Sequence, residues 1–152
     1  MAIARSMSDA LVHRGPDDSG YWTNENGLHL AHRRLAIQDI SALGHQPMHS
    51  SCGRYTVVFN GEIYNFLSLR QLLELEGYGF NGHSDTEVLL SAISCWGIEG
   101  ALQRFNGMFA IALWDSTDQT LILARDRIGK KPLYYGWIDG ALVFASELKA
   151  LT

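Results

Sequence analysis

The chain has 152 residues and a formal net charge of -4, and 47% of its residues are hydrophobic, which is typical of one globular domain with a substantial core. No basic run is longer than two residues, which argues against nucleic-acid binding, and no apolar stretch approaches the roughly 18 residues of a membrane span. Its two cysteines are too few for a disulfide framework, which fits a reducing compartment. Together these features predict a cytoplasmic protein with no membrane or nucleic-acid partner.

The first half of the chain is predicted to form one short helix and then strands. Apolar spacing favours the helix, and Gly15 with Pro16 ends it. Strand-like runs bounded by turn-forming residues indicate the strands. The predicted elements in this half are a helix at 3–12, strands at 21–23 and 28–37, a loop at 38–53 and a strand at 54–59.

The second half is predicted to form two helices followed by four strands. Ser84 and Glu87 match a capping box at the start of the second helix, and Asp139-Gly140 is typical of a hairpin turn. The predicted elements are a helix from 66 to the stop at Gly77, a helix from 85 through 96, and strands at 108–114, 121–125, 133–138 and 142–145. The order predicts an α+β domain built on antiparallel sheets with helices packed outside, in which the apolar strand at 108–114 is covered on both faces.

Two motifs that suggest cofactors are better explained by ordinary structure. Residues 77–82 match G-x-G-x-x-G, but a helix precedes them where a dinucleotide site needs a buried strand. His45 and His49 are separated by Pro47, which prevents the regular helix that would bring them to one face. We therefore expect neither a nucleotide nor a metal in this chain.

The triplet Asn60-Gly61-Glu62 follows an apolar strand, but no second strand follows to make a hairpin. The amide of Asn60 and the backbone N–H of Gly61 are the kinds of donor that stabilise a tetrahedral oxyanion, and a residue without Cβ lets a substrate carbon approach. Glu62 supplies a carboxylate for an ammonium group. The triplet is therefore interpreted as a substrate-activating corner at the exit of the strand.

A basic partner for a carboxylate is present in Arg33 and Arg34. Neighbouring strand residues point to opposite faces, so we expect one arginine to face a pocket and the other to meet solvent. A guanidinium binds a carboxylate through two parallel hydrogen bonds. Asp85, expected to be exposed in the first turn of its helix, is a second acceptor for an ammonium group. On these residues alone, ordinary surface ion pairs explain the charges equally well.

A series of motifs along nearly the whole chain resembles the glutaminase domain of glutamine-hydrolysing asparagine synthetases. The series is H-R-G-P-D-D-S-G, H-R-R-L-A-I, G-H-Q-P-M, F-N-G-E-I-Y-N, H-S-D-T-E-V-L-L, N-G-M-F-A-I-A-L-W-D, A-R-D-R-I-G-K-K-P-L-Y-Y and F-A-S-E-L-K-A-L. The resemblance implies a class II glutamine amidotransferase domain. Its fold would be N-terminal nucleophile hydrolase-like, a four-layer αββα sandwich of two antiparallel sheets.

The resemblance also implies a site for L-glutamine. Arg34 resembles the arginine that holds the α-carboxylate, and Ile37 and Gln38 resemble residues that line the same site through their backbone. Asn60 and Gly61 resemble the oxyanion hole. Glu62 and Asp85 resemble the groups around the α-amino end.

One feature departs from the family pattern. The family nucleophile is a cysteine at the processed N-terminus, whose own α-amine serves as the base. This sequence opens Met1-Ala2-Ile3, and neither Cys52 nor Cys95 lies in such a context. We therefore expect residues 1–152 to be a partial amidotransferase domain without its first strand or strands, without the nucleophile, and inactive as a glutaminase. The synthetase domain, with its ATP and Mg, is also expected to be absent, so no cofactor is expected in this chain.

Two hypotheses of function remain. One is the glutamine amidotransferase domain of an asparagine synthetase, and the other is a non-catalytic glutamine-binding or regulatory module. Glucosamine phosphate synthases and phosphoribosyl amidotransferases share the chemistry, but G-H-Q-P-M and A-R-D-R-I-G-K-K-P resemble the asparagine synthetase branch. The expected partners are L-glutamine and either a synthetase domain or a second copy that pairs with an exposed sheet edge.

Overall fold

The computed structural model describes residues 2–35 and 42–152, and their strands form three antiparallel sheets. The helices are α1 Ala2–Asp9, α2 Phe66–Leu75 and α3 Asp85–Arg104, and short 3-10 turns occur at Val12–Arg14, Ala42–Gly44 and Leu148–Ala150. The strands are β1 Asp18–Thr23, β2 His29–Arg34, β3 Met48–His49, β4 Tyr55–Ile63, β5 Gly107–Asp115, β6 Thr120–Arg125, β7 Tyr134–Ile138 and β8 Ala141–Ala145. The predicted α+β class with antiparallel pairing is confirmed. No helix in these residues combines the length and hydropathy needed to cross a lipid bilayer.

The central sheet has the strand order β3-β4-β5-β6, and β1-β2 and β7-β8 are separate hairpins. Strand β4 pairs with β5 along its whole length, from Tyr55 opposite Asp115 to Ile63 opposite Gly107. The Asn-Gly pair therefore lies inside an extended strand. As predicted from the sequence, the pair does not form a hairpin turn. The strand runs four residues beyond its predicted end at 59, however, so the predicted place of the pair at the exit of the strand is wrong.

Gly61 is required by the closeness of β4 to β5. A Cβ on Gly61 would lie 2.2 Å from the carbonyl oxygen of Met108, and one on Gly107 would lie 2.2 Å from the carbonyl oxygen of Glu62. Both distances are far below any real contact. The sequence argument, in which the missing Cβ makes room for substrate, is corrected: the space is taken by the backbone of the neighbouring strand.

The core lies between the central sheet and the helices α2 and α3. Residues from Phe109 to Asp115 are all buried, which confirms that β5 is covered on both faces. Side chains from the sheet and from both helices share this core with at most 3% of their surface exposed, among them Val57, Phe59, Ile111, Leu113, Leu73, Leu89 and Ile93. Burial of this apolar surface holds the helices against the strands.

The start of α3 matches the predicted capping box only in part. Ser84 Oγ accepts from the N–H of Glu87 at 3.3 Å, as predicted. The Glu87 carboxylate, however, accepts from the N–H groups of Asn81 at 2.7 Å and Gly82 at 2.9 Å. Glu87 thus binds the loop at 77–82 to the first turn of α3, which gives the G-x-G-x-x-G motif a structural role.

Two turns agree with the prediction, whereas the length of α3 and the short strand β3 differ from it. Asp139 and Gly140 have φ of 49° and 79°, as the hairpin between β7 and β8 requires. Gly77 has φ of 90° just after α2, the expected helix stop. Helix α3 continues to Arg104 past a non-helical residue at Gly97. The predicted loop at 38–53 contains β3, which is too short to show a pattern in sequence.

Asp126 connects the central sheet to the loop that follows β6. Its carboxylate accepts from the N–H groups of Phe109 at 3.1 Å, Lys130 at 2.8 Å and Lys131 at 3.0 Å. Burial by itself would raise the pKa of Asp126, but these amide donors hold that pKa below its ordinary value.

Asp126→Ala is expected to lower the free energy of unfolding by about 1–3 kcal/mol, because it leaves a buried N–H of β5 without an acceptor. Urea unfolding followed by circular dichroism measures this change. Asp118→Ala is the control, since Asp118 is exposed and its carboxylate pairs with Arg54 at the surface, so its effect should stay within about 0.5 kcal/mol. Equal effects of the two variants would contradict the assignment.

Candidate functional site

A cavity of about 460 Å³ opens beside β2, β4 and the first turn of α3. Five of the residues that the sequence analysis proposed for a site line it: Arg34, Asn60, Gly61, Glu62 and Asp85. The other two, Ile37 and Gln38, lie outside the described residues. The volume falls in the range of small-molecule sites, about 300–1,000 Å³.

The cavity runs along the edge of β4 that faces away from β5, here called the open edge. Phe109 lies opposite Gly61, but its backbone groups point away from β4. The Phe109 N–H donates to the Asp126 carboxylate, and the Phe109 carbonyl oxygen accepts from the Asp126 N–H. Gly61 and Phe109 are therefore a pair without mutual backbone hydrogen bonds. Alternate residues of a strand direct their backbone groups to the same edge, so the N–H groups of Phe59, Gly61 and Ile63 all face the open edge.

Side chains take up the first and last of these three N–H groups. The Phe59 N–H donates to Gln46 Oε1 at 2.6 Å, and the Ile63 N–H donates to Asp85 Oδ2 at 2.9 Å. The N–H of Gly61 lies between them and faces the cavity. Ladder geometry thus directs one backbone donor, the Gly61 N–H, to the edge of the strand along the cavity that Asn60 also lines.

Asp85 is not exposed, contrary to expectation: only 7% of its surface reaches solvent. Burial raises the pKa of its carboxyl group, and the neighbouring Glu62 adds to this, while the Ile63 amide opposes it. A buried carboxylate of this kind gains from a nearby cation. Asp85 and Glu62 are therefore the two carboxylates that line the cavity.

The two arginines of β2 differ in a way that the sequence did not predict. Only 17% of the Arg33 side chain is exposed, because its Nε donates to Ser8 Oγ at 3.0 Å and its Nη2 pairs with Asp9 at the C-terminal end of α1. Arg34 lines the cavity beside Gly44, where a Cβ would lie 2.0 Å from Arg34 Nη2. Arg34 therefore supplies a guanidinium to the cavity, and the absent side chain of Gly44 makes room for it.

Asn60 is held by a residue from the far end of the chain. Its Nδ2 donates to Ser146 Oγ at 3.3 Å. The next residue, Glu147, accepts from Arg14 Nη1 at 2.9 Å, and the pKa of Glu147 is lowered to about 2, chiefly by that arginine and then by His13. The segment after β8 thus closes one side of the cavity.

Neither cysteine lines the cavity. Cys52 lies in an exposed turn with its Sγ 3.2 Å from Ser50 Oγ, and Cys95 packs against the core from α3. Among the described residues, then, no thiol faces the Asn60 and Gly61 donors.

Comparison with known proteins decides the family. The family model described as "Glutamine amidotransferase domain" matches residues 1–152. The chain belongs to the glutamine amidotransferase domain family. The resemblance inferred from its motifs is confirmed.

Curated relatives of this amidotransferase domain are named asparagine synthetases. Asparagine synthetase [glutamine-hydrolyzing] 1 of Bacillus subtilis is 44% identical over 149 residues, which cover 98% of this chain and 23% of that protein. Asparagine synthetase [glutamine-hydrolyzing] 3 of Arabidopsis thaliana is 44% identical over 147 residues, 96% of this chain and 25% of that protein. The domain therefore spans about a quarter of the length of these relatives.

A solved structure shares the fold of this amidotransferase domain. It is the glutamine phosphoribosylpyrophosphate amidotransferase of B. subtilis complexed with ADP and GMP, with a TM-score of 0.84 and 25% identity, covering 99% of this chain and 40% of that one. The predicted N-terminal nucleophile hydrolase-like fold is confirmed by this likeness.

Several residues that shape the cavity of this amidotransferase domain were missed in sequence. Each lies inside a motif that was noticed, but nothing in one strand's pattern says which distant loop reaches it. These residues are Arg14, His32, Gly44, Gln46, Lys131 and Ser146.

His32 lies on β2 with its ring against β4. Its Nε2 is 3.2 Å from the carbonyl oxygen of Phe59, so this nitrogen carries the proton and donates, and Nδ1 is buried with no hydrogen-bond partner in the described part of the chain. Burial lowers the pKa of His32 to about 4; the Phe59 carbonyl opposes this, while Arg34 adds to it. His32 is therefore a neutral donor at neutral pH.

His32 is expected to make this domain less stable in mild acid. Its pKa lies below the ordinary 6.5, so below pH about 6.5 the unfolded chain binds a proton that the folded chain takes up only near pH 4. The contribution of His32 to the free energy of unfolding is fully present above pH about 6.5 and is lost as the pH falls towards 4. Arg34, Asp18 and His45 are the charged or titratable groups that surround it.

Thermal melts between pH 7 and 4 test this expectation. His32→Gln should show a shallower loss of melting temperature than the unaltered chain. His49→Gln, which changes an exposed histidine of β3, should keep the original slope. A slope unchanged by His32→Gln would refute the burial argument.

Proposed function

We propose that the cavity binds L-glutamine and that the chain is the glutamine-handling domain of an asparagine synthetase. The observation that carries this proposal is that one cavity is lined by a guanidinium at Arg34, the donors of Asn60 and Gly61, and the carboxylates of Glu62 and Asp85. This set of groups complements an amino acid that bears a side-chain amide.

Each end of glutamine has a chemical counterpart. Arg34 would bind the α-carboxylate through paired hydrogen bonds, and Glu62 with Asp85 would receive the α-ammonium. The side-chain carbonyl would then face the Gly61 N–H and the Asn60 amide. Those donors would stabilise the oxyanion that forms when a nucleophile attacks the amide carbon.

The residues described here support binding and oxyanion stabilisation, but neither cysteine of the sequence is placed to attack. A thiol for hydrolysis would have to come from outside the described residues. Both hypotheses, the asparagine synthetase domain and the glutamine-binding or regulatory module, predict that the 152-residue chain binds glutamine without hydrolysing it. A coupled assay for glutamate release tests this expectation: release no greater than that of a heat-killed control is the expected result, and release above that control would contradict the lack of a nucleophile.

The names of the relatives support the asparagine synthetase assignment. Under this proposal the released nitrogen passes to an acceptor site in a synthetase domain. ATP and Mg²⁺ would act there, and not at the cavity described above.

Arg34→Ala is expected to weaken glutamine binding by at least about 30-fold, or ~2 kcal/mol, because a carboxylate would lose its charged partner. Isothermal calorimetry measures the affinity. Arg127→Ala, on an exposed loop that does not line the cavity, is the control and should bind like the unaltered chain.

Gly44→Ala is a companion variant that keeps the arginine and moves it. The new Cβ would displace the guanidinium, which is the end of a flexible side chain, so folding should be little affected while the affinity falls. Unchanged affinity in both Arg34→Ala and Gly44→Ala would contradict the proposed orientation of glutamine.

The β7-β8 hairpin suggests where further protein would bind. Tyr135 and Trp137 are 70% and 74% exposed, and exposed aromatic patches mark interaction sites. We propose that this hairpin contacts a synthetase domain or a second copy of the chain.

Sedimentation velocity tests the second of these partners in the isolated chain. Association that increases with concentration and is lost in Trp137→Ser is the expected result. A monomer at every concentration would leave only the synthetase domain as the partner proposed for this hairpin.

A further inference from the structure

We propose that Gln46, assisted by His32, is a positioning residue that aims the Gly61 N–H and the Asn60 side chain into the cavity. Gln46 would not touch the ligand amide itself. It would act through the backbone of Phe59, which precedes the two donors. The inference rests on the proposed function, since it assigns a role within the same glutamine site.

The side chain of Gln46 replaces a missing piece of strand. Strand β3 pairs with β4 only at Met48 opposite Val57 and His49 opposite Thr56. Two residues further along β4, Gln46 Oε1 accepts from the Phe59 N–H at 2.6 Å and Gln46 Nε2 donates to the Phe59 carbonyl at 3.2 Å. The side-chain amide thus makes the pair of bonds that a backbone partner would make, and it continues the ladder by one step.

Gln46 is itself held on several sides. Only 6% of its surface is exposed, and its Nε2 also lies 3.4 Å from Thr86 Oγ1 in the first turn of α3. Its backbone packs against β1, where a Cβ on Gly20 would lie 1.8 Å from the Gln46 carbonyl oxygen. The amide therefore has little freedom to release Phe59.

His32 supplies a second donor to the same carbonyl. Its Nε2 lies 3.2 Å from the Phe59 oxygen, so that oxygen accepts from both Gln46 and His32. A carbonyl oxygen has two lone pairs, and both are occupied here. The peptide plane between Phe59 and Asn60 is thereby fixed.

The fixed plane determines where the next donors point. The N–H of Gly61 lies between the N–H of Phe59, held by Gln46, and that of Ile63, held by Asp85. Glycine is otherwise the most flexible residue of a strand. With both neighbours held, the Gly61 N–H stays directed at the cavity before a ligand arrives, which is the preorganisation that oxyanion stabilisation needs.

The test compares the affinities of the same chain for two ligands. L-glutamine and L-norleucine carry the same carboxylate and ammonium groups and side chains of similar length, but norleucine has no amide. The ratio of their affinities, measured by calorimetry, therefore reports the donors at Asn60 and Gly61. The affinity for norleucine reports the two charged ends and the integrity of the fold.

Gln46→Met keeps the length of the side chain and removes its amide. We expect the glutamine to norleucine ratio to fall at least about fivefold, as loss of about one hydrogen bond implies, with norleucine affinity unchanged. His49→Met is the matched control, because the His49 side chain also bonds to β4, through Thr56, but His49 does not line the cavity. It should leave the ratio unchanged.

His32→Phe is a second variant in case Gln46→Met fails to fold. It removes one donor to the Phe59 carbonyl and leaves Gln46 in place, so a smaller but equally selective fall in the ratio is expected. Equal losses for both ligands, or an unchanged ratio, would overturn the positioning role. Absence of glutamine binding by the unaltered chain would refute the proposed function and this inference with it, whereas glutamine binding with an unchanged ratio in the variants refutes the inference alone.

Discussion

The backbone N–H groups on the open edge of β4 need acceptors, and the cavity is built from the way they obtain them. A buried N–H without a partner is costly, so a strand edge that faces the interior must be paired by something. Here Gln46 takes the N–H of Phe59 and Asp85 takes that of Ile63. Gly61, between them, is left to face the cavity, where a ligand oxygen can serve as its acceptor.

The rigidity of this edge comes from the sheet behind it. Gly61 and Gly107 bring β4 and β5 together more closely than any side chain would permit. On the far side of β5, Asp126 binds the N–H of Phe109 and two amides of the following loop. A fixed sheet and a buried helix start therefore hold the cavity on two sides, and neither requires a ligand to form.

Charges of both signs line the cavity. Arg34 provides a guanidinium, while Glu62 and Asp85 provide carboxylates, and burial of Asp85 makes a cation beside it favourable. Arg33 has a structural task instead, because Ser8 and Asp9 of α1 bind its guanidinium. The presence of both charges beside the Asn60 and Gly61 donors suits a zwitterion that bears a side-chain amide.

Local patterns predicted what depends on local physics. The helix stop at Gly77 and the turn at Asp139-Gly140 were correct because each follows from the backbone freedom of one or two residues. The pairing of Ser84 with Glu87 was half correct, since the Ser84 bond is local while the Glu87 carboxylate found closer amides at 81 and 82. The burial of Asp85 was missed, because its exposure depends on β4 and not on its own helix.

The sequence by itself determined the α+β class, the family and five of the residues that line the cavity, since these follow from periodicity and from motifs that each lie within one short segment. Only the tertiary structure decided that Gln46, His32 and Ser146 reach the same strand, that Arg33 binds α1, and why residue 61 is glycine. Those features depend on contacts between segments far apart in the chain, and a one-dimensional pattern carries no information on which distant backbone a side chain will meet.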